Sequence, residues 1–389
     1  MSQDPWKVDT LTVVYAGEAF PTTVKKTIML CGPTPRDPQV KSWRPEALRL
    51  LEKLGYDGHV FVPENRTQGP YDYLGQVEWE YEALNRADSI VFWVPRDMKD
   101  MPALTTNIEW GLWCDSGKAV FGAPDSAENV RYMKWQAGNL KVPMFNELTP
   151  LLEHSIKSLG KGSERTGGEA KVPLHVWNHP TFQGWLRAQK AAGNRLDDAK
   201  VLWSFRVGPK RNKVFSWAVQ VSVWVLSEGR HKSNEFVLGR TDIACVVLYC
   251  HDSNYLDTDF VLVREFRSPA RTPNGCILEL PGGGVENGID PETTAIKELR
   301  EETGFSIESH RLRPVGSRQL AGTLSAHVAH VYAAEITPEE LEHFKSQAGE
   351  VLGEEGGEER TSIVVTPLRS LLKDPNSDWA TLGMVFASL

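Results

Sequence analysis

Four short, nearly unbroken apolar runs mark the first third of the chain: TIMLC at 27–31, HVFVP at 59–63, SIVFWV at 89–94 and KAVFGA at 118–123, after a lead containing LTVVY. Between them the apolar period changes. Leu48, Leu51 and Leu54 recur at helical spacing with Gly55 as a stop, which predicts a helix over 45–54; others are expected around 77–86 and 107–114. Strands that are apolar throughout and alternate with helices predict an α/β domain with a parallel sheet covered on both faces. Ligands of such sheets bind beyond the carboxyl ends of the strands. The segments 32–37, 63–64 and 95–109 gather at that edge.

The pattern then shifts. Residues 155–172, SIKSLGKGSERTGGEAKV, are polar and glycine-rich and read as a linker, and HPTFQGWLRAQKAAG predicts a connecting helix with Phe182, Trp185 and Leu186 on one side. Beyond it come strands at 201–207, 215–227, 244–250 and 260–266. Alternation in VFSWAVQVSVWV and the turns GPKRNK and LSEGRHKSN favour an antiparallel or mixed sheet. CILEL at 276–280 leads into a glycine turn and then a helix over 291–303, with Asp290 as N-cap, Pro291 in the first helical position and Gly304 as the stop. A strand at 327–336 and a helix at 338–347 complete an α+β unit. The expected organisation is a domain over 1–158, a linker and connecting helix over 159–195, and a second domain over 196–389.

Composition narrows the classes. A chain of 389 residues is long for one domain, and 41% hydrophobic with 24% charged residues describes a globular protein. Net charge is −8, so there is no general electrostatic footprint for nucleic acid or an anionic membrane. No stretch approaches the roughly 20 apolar residues of a membrane span, and MSQDPWKVDT lacks a basic start followed by an apolar run. A cytoplasmic location is expected. The five cysteines are odd in number and show no paired metal spacing, which makes reduced thiols the default.

The densest chemistry lies in ELPGGGVENGIDPETTAIKELREETGF, 279–305. Glu298 precedes Glu301 and Glu302 by three and four residues, placing three carboxylates on one helix face, where they repel unless a cation relieves them. Mg²⁺ or Mn²⁺ suits such oxygen ligands and can bridge them to a diphosphate. This stretch resembles the Nudix box, whose pattern is matched by Gly283, Glu298, Leu299, Glu301, Glu302, Gly304 and Phe305. It departs at Ile289, where the family has Glu, and at Lys297, where it has Arg. Glu286 and Glu292 both stand as replacements for the acid missing at 289. The resemblance implies a Nudix fold, metal ligands Glu298, Glu301 and Glu302, with Glu302 also catalytic, and a phosphate-side turn at Gly282 and Gly283. REFRSPAR ahead of ELPGGG is similar to the ADP-ribose and nucleoside-diphosphate-sugar branch, which implies a diphosphate contact at Arg267, a water-activating carboxylate at Glu359, with Glu358 and Glu355 close behind, and homodimerisation. Glu279 stands either as metal support or as a surface acid.

The first domain resembles nucleoside 2-deoxyribosyltransferase-like proteins, of flavodoxin-like fold: a strand ending in Gly32-Pro33, an acid eight residues before the Ala-Asp strand start at Asp88, and the Glu-Trp-Gly helix motif. That implies Glu109 as nucleophile at the anomeric carbon and Glu80 as the acid handling the base, with Gly32, Arg36 and Asp88 toward the substrate. A carboxylate nucleophile with a second acid nearby is also what retaining chemistry at a sugar carbon requires. The expectation is a metal-dependent hydrolase of a nucleoside diphosphate linked to another moiety, fused to an N-glycosidic activity in nucleotide salvage or clearance. Two alternatives stay open: a nucleotide sensor without turnover, and a chain in which only the second domain is active.

Overall fold

Thr27–Cys31 is buried at every position and lies inside a six-stranded sheet whose strands are Thr12–Tyr15 (β1), Thr27–Cys31 (β2), His59–Val62 (β3), Ser89–Trp93 (β4), Ala119–Gly122 (β5) and Met144–Phe145 (β6). Their order is β1-β3-β2-β4-β5-β6, parallel throughout. The structure, a computed structural model, describes residues 6–37, 39–66, 72–352 and 360–389. No helix among them is long and apolar enough to cross a membrane.

Strand periodicity explains the two-sided cover. Ile28 and Leu30 point to one face, where Leu48 and Leu51 of helix Arg44–Lys53 (α1) and Leu151 and Leu152 of helix Leu148–Leu159 pack on them. Met29 and Cys31 point to the other, under Trp79 and Ala83 of Tyr73–Arg86 (α2), Trp110 of Leu104–Trp113 (α3) and Met133 of Arg131–Leu140 (α4). The helix at 148–159 is α5. Both α2 and α3 begin earlier than their apolar periodicity suggests. In α2 the reason is Asp72, which caps the helix by accepting from the Gly75 N–H at 3.0 Å.

The chain divides into two compact units at Leu238/Gly239, which differs from the boundaries expected at 158 and 196. Residues 159–195 are structured: Arg165–Thr166 pairs with Thr23–Val24, and Leu174–Trp177 (α6) and Pro180–Ala191 (α7) follow. Of the antiparallel strands Arg195–Val207 (β7), Lys213–Val225 (β8) and Arg230–Arg240 (β9), β9 takes in residues 230–234, which were expected as a turn, and the first two were expected in the second domain. Instead, the alternating apolar positions Trp217, Val219, Val221 and Val223 are buried in the core of the first unit with Trp177 and Phe182. A polar, glycine-rich composition was a poor guide because one buried ion pair holds that segment in place.

That pair is Arg165–Asp88. Both side chains are fully buried, Arg165 donates to the two Asp88 oxygens at 2.8 and 2.6 Å, and Asp88 also accepts from the backbone N–H groups of Thr27 and Leu174. Removing one partner strands a buried charge. Asp88→Ala is expected to destabilise the first unit by about 3–5 kcal/mol, read as a lowered midpoint in urea unfolding. A change under 1 kcal/mol would contradict this role.

The second unit is a mixed sheet of Ile243–Cys250 (β10), Asp259–Phe266 (β11), Cys276–Glu279 (β12), Gly282–Gly284 (β13), Arg313–Gln319 (β14), Val328–Glu335 (β15), Val351–Leu352 (β16) and Thr361–Pro367 (β17). β10 runs parallel to β15 and antiparallel to β11 and β13. Helix Pro291–Thr303 (α8) lays Ala295 and Leu299 on Ala244, Val246 and Val261, and the Asp290 carboxylate caps it by accepting from the Glu292 and Thr293 N–H groups. Helices including Trp379–Ser388 cover the opposite face through Leu382 and Val385.

Candidate functional site

At the carboxyl edge of the parallel sheet, β2 runs into Gly32, which lines a cleft of about 370 Å³. Only glycine fits there: a Cβ would stand 2.1 Å from the Trp93 carbonyl oxygen. α2 and α3 bring Glu80 and Glu109 into the lining. Burial, then repulsion from Glu80, push the Glu109 carboxyl up to about 7, with Arg44 pulling the other way. Burial also raises Glu80, against the Gln76 amide that donates to it at 2.8 Å. α3 starts from Ala103, a buried non-glycine residue at φ 55° that also lines the cleft. Holding a residue there costs about 1–2 kcal/mol, a strain found mostly where a site depends on the backbone path.

Sequence reasoning missed Arg44. Its guanidinium is buried and donates to Thr34 Oγ1 at 3.0 Å, Glu64 Oε1 at 2.6 Å and the Leu30 and Gly32 carbonyls at 3.1 and 2.7 Å. It braces the Gly32 turn and supplies the charge that faces both acids. Nothing in SWRPEAL separates it from an ordinary helix-start arginine. Arg36 lines the same cleft from an exposed position. Asp88 does not join them. It precedes β4 at the amino edge of the sheet, committed to Arg165, so the substrate-binding role expected of it is replaced by a structural one.

Because the folded state holds Glu109 protonated more tightly than the unfolded chain does, its contribution to stability is present below its ordinary value of 4.5 and is lost as pH rises through about 7. Glu109→Gln removes that loss. The variant is expected to melt higher than the parent at pH 8 and nearly with it at pH 4; equal shifts at both would contradict the assigned burial.

In the second unit, Gly282 and Gly283 pair with Cys245 and Ala244 of β10. Glycine is needed at Gly282, where a Cβ would lie 2.4 Å from the Ala244 carbonyl oxygen, and at Gly283 a Cβ would lie 2.4 Å from the Glu298 carboxyl carbon and push that side chain aside. The Glu298 head therefore sits over the turn. One helical turn on, Glu302 accepts from the Gly282 N–H at 2.9 Å. Burial still pushes Glu302 up to about 8, and repulsion from Glu298, Glu265 and Glu279 adds to it. Glu265, buried on β11, was not singled out in the sequence, because VREFR reads as a strand end. Arg267 was expected to face a diphosphate; its Nη2 lies 2.7 Å from Glu279 and 2.9 Å from Glu265, so its charge is shared with those acids. Glu301 pairs with Lys297 at 3.1 Å.

Crowded carboxylate oxygens suit a hard divalent cation, which would relieve the repulsion that raises Glu302. Among the described residues no three His, Cys, Asp or Glu side chains form a ready metal cage. The donor set fits, while Glu302 is turned to Gly282 and Glu301 to Lys297. Of the two acids weighed for the Ile289 position, Glu286 lies within electrostatic reach of Lys297, and Glu292 accepts from the Ser309 hydroxyl. Glu359, Glu358 and Glu355 lie outside the described residues.

The chain presents a parallel α/β unit with an acid pair at its carboxyl edge, and a mixed sheet with a glycine turn under a carboxylate-bearing helix. Residues 25–127 match the family described as nucleoside 2-deoxyribosyltransferase like, and residues 240–353 match the NUDIX domain. The chain thus carries an N-terminal nucleoside 2-deoxyribosyltransferase-like domain and a C-terminal NUDIX domain. It is similar to an ADP-ribose pyrophosphatase of Bacillus subtilis (strain 168), 33% identical over 75 residues, 19% of this chain and 38% of the relative. It is also similar to a methanol dehydrogenase activator of Bacillus methanolicus, 34% identical over 102 residues, 25% and 50% of the two chains. An ADP-sugar pyrophosphatase of Mus musculus is 41% identical over 54 residues, 14% and 23%. The chain spans half or less of the length of these curated relatives.

Proposed function

We propose that the NUDIX domain hydrolyses a nucleoside diphosphate linked to another moiety, with ADP-ribose the preferred class, and that the N-terminal domain cleaves or transfers an N-glycosidic bond on a related nucleoside or nucleotide, in nucleotide salvage or clearance. The observation that carries the reading is Glu302, raised to about 8 between the Gly282 N–H and three neighbouring acids, because such a group gains most from a cation beside a phosphate. The names of the pyrophosphatase relatives support the substrate class. Glu298, Glu301 and Glu302 would hold Mg²⁺ or Mn²⁺, which when bound supplies neutralisation of the diphosphate and a more acidic water. Arg267 turns its guanidinium from Glu279 and Glu265 to the diphosphate oxygens. The glycine turn lets the phosphates approach the backbone, and Glu359 takes the proton of the attacking water. In the other domain ionised Glu109 attacks the anomeric carbon while Glu80 handles the base. The test is direct: purified chain with Mg²⁺ should release AMP from ADP-ribose and release none in EDTA. A panel of dinucleotides and nucleotide sugars yielding no nucleoside monophosphate would sink the hydrolase reading.

A further inference from the structure

The amino edge of the parallel sheet, where α/β sheets do not ordinarily bind ligands, carries two adjoining cavities of about 820 and 450 Å³. They share Lys118, just ahead of β5, and His175 of α6, and the strands β7 and β8 with their turn close them over. Polar atoms without a partner among the described residues gather on this lining: both ring nitrogens of His175, Arg206 Nε, Trp113 Nε1 and Ser204 Oγ, all sealed within the protein. A buried donor or acceptor left so costs about 1–3 kcal/mol, and four residues carry that cost in the wall around one space. Arg206 is seated deliberately. It lies across Gly117, where a Cβ would stand 2.9 Å from its Cδ, and Gly117 itself is at φ 83°.

The two lobes differ in chemistry. The larger is lined by Lys118, Lys141, Arg206, Lys210 and Arg211, and the one acid among its described lining residues, Asp88, is neutralised by Arg165. Burial and the charges of Lys118 and Arg206 hold His175 neutral, its pKa pushed down to about 3. Arg206 and Arg211 share Asp115 at 2.8 and 3.2 Å, and Lys118 Nζ donates to the Leu84 and Asn85 carbonyls with its pKa brought down to about 7 by burial, so Lys141 and Lys210 carry the positive charge of this lobe that no described acid offsets. The smaller lobe offers Trp113, Trp203, Leu112 and Leu202, surfaces suited to a flat ring. We propose that this double cavity binds a nucleoside phosphate, with the phosphate in the cationic lobe and the base against the tryptophans, at a site separate from the Glu80–Glu109 cleft on the opposite edge of the same sheet.

The probe is AMP, titrated by calorimetry into the full chain in EDTA, so that metal-supported binding in the NUDIX domain does not contribute. Lys141 and Lys210 are exposed, so the double variant Lys141→Gln/Lys210→Gln keeps the fold, which an unchanged melting temperature verifies. AMP should bind, and should bind at least tenfold more weakly to this variant and to Trp203→Ala, while Glu109→Gln leaves the affinity unchanged. Absence of AMP binding overturns the site. So does binding that ignores the lysine pair or Trp203, or that is lost in Glu109→Gln, which would assign the nucleotide to the carboxyl-edge cleft.

Discussion

Glu302→Gln is expected to lower kcat for ADP-ribose hydrolysis by at least about a hundredfold with the fold intact. Gln retains a carbonyl oxygen to accept from the Gly282 N–H and removes a negative charge from among Glu298, Glu265 and Glu279, so the variant should be as stable as the parent, and more stable at pH above about 8. The sign follows from the raised acid. Stability tied to its protonated form is present below its ordinary value of 4.5 and is lost as pH passes about 8. What the variant cannot do is offer an anionic oxygen to a cation. Steady-state kinetics with thermal melting on the same preparation separate the effects: a folded, fully active variant would remove Glu302 from the chemistry.

Glu109→Ala should suppress N-glycosidic cleavage on the order of 10⁴-fold and leave diphosphate hydrolysis untouched, since the two acids belong to different domains. In the parent, the glycosidic rate should rise with pH around a midpoint of about 7, because only ionised Glu109 attacks carbon. Release of free base, followed chromatographically from pH 5 to 9, reads both effects. A glycosidic rate that survives the substitution would leave Glu80 and Arg44 without a partner in catalysis.

The parallel sheet was legible because its strands are uniformly apolar, a signature that burial on both faces imposes, and α8 was legible because Asp290, Pro291 and Gly304 punctuate it at both ends. The glycine turn under the carboxylates could be read from the glycine run itself, and the structure requires glycine where Gly282 passes the Ala244 carbonyl. What the chain order hid were pairings between distant residues. Arg165 meets Asp88 across 77 positions, which turned an expected linker into an ordered segment and an expected ligand contact into a strut. Trp217 meets Phe182, which drew β8 into the first unit. Arg44 and Glu265 matter through what surrounds them in space, and nothing local in the sequence announces that.

The account rests on Glu298 and Glu302 holding a divalent cation under a diphosphate. Its most direct test is a Mn²⁺ titration of the chain without nucleotide, followed by the loss of the free-ion paramagnetic resonance signal, for the parent, Glu298→Gln and Glu302→Gln. The prediction is Mn²⁺ uptake by the parent, weakened at least about tenfold by each substitution. Equal uptake by all three folded proteins would contradict it.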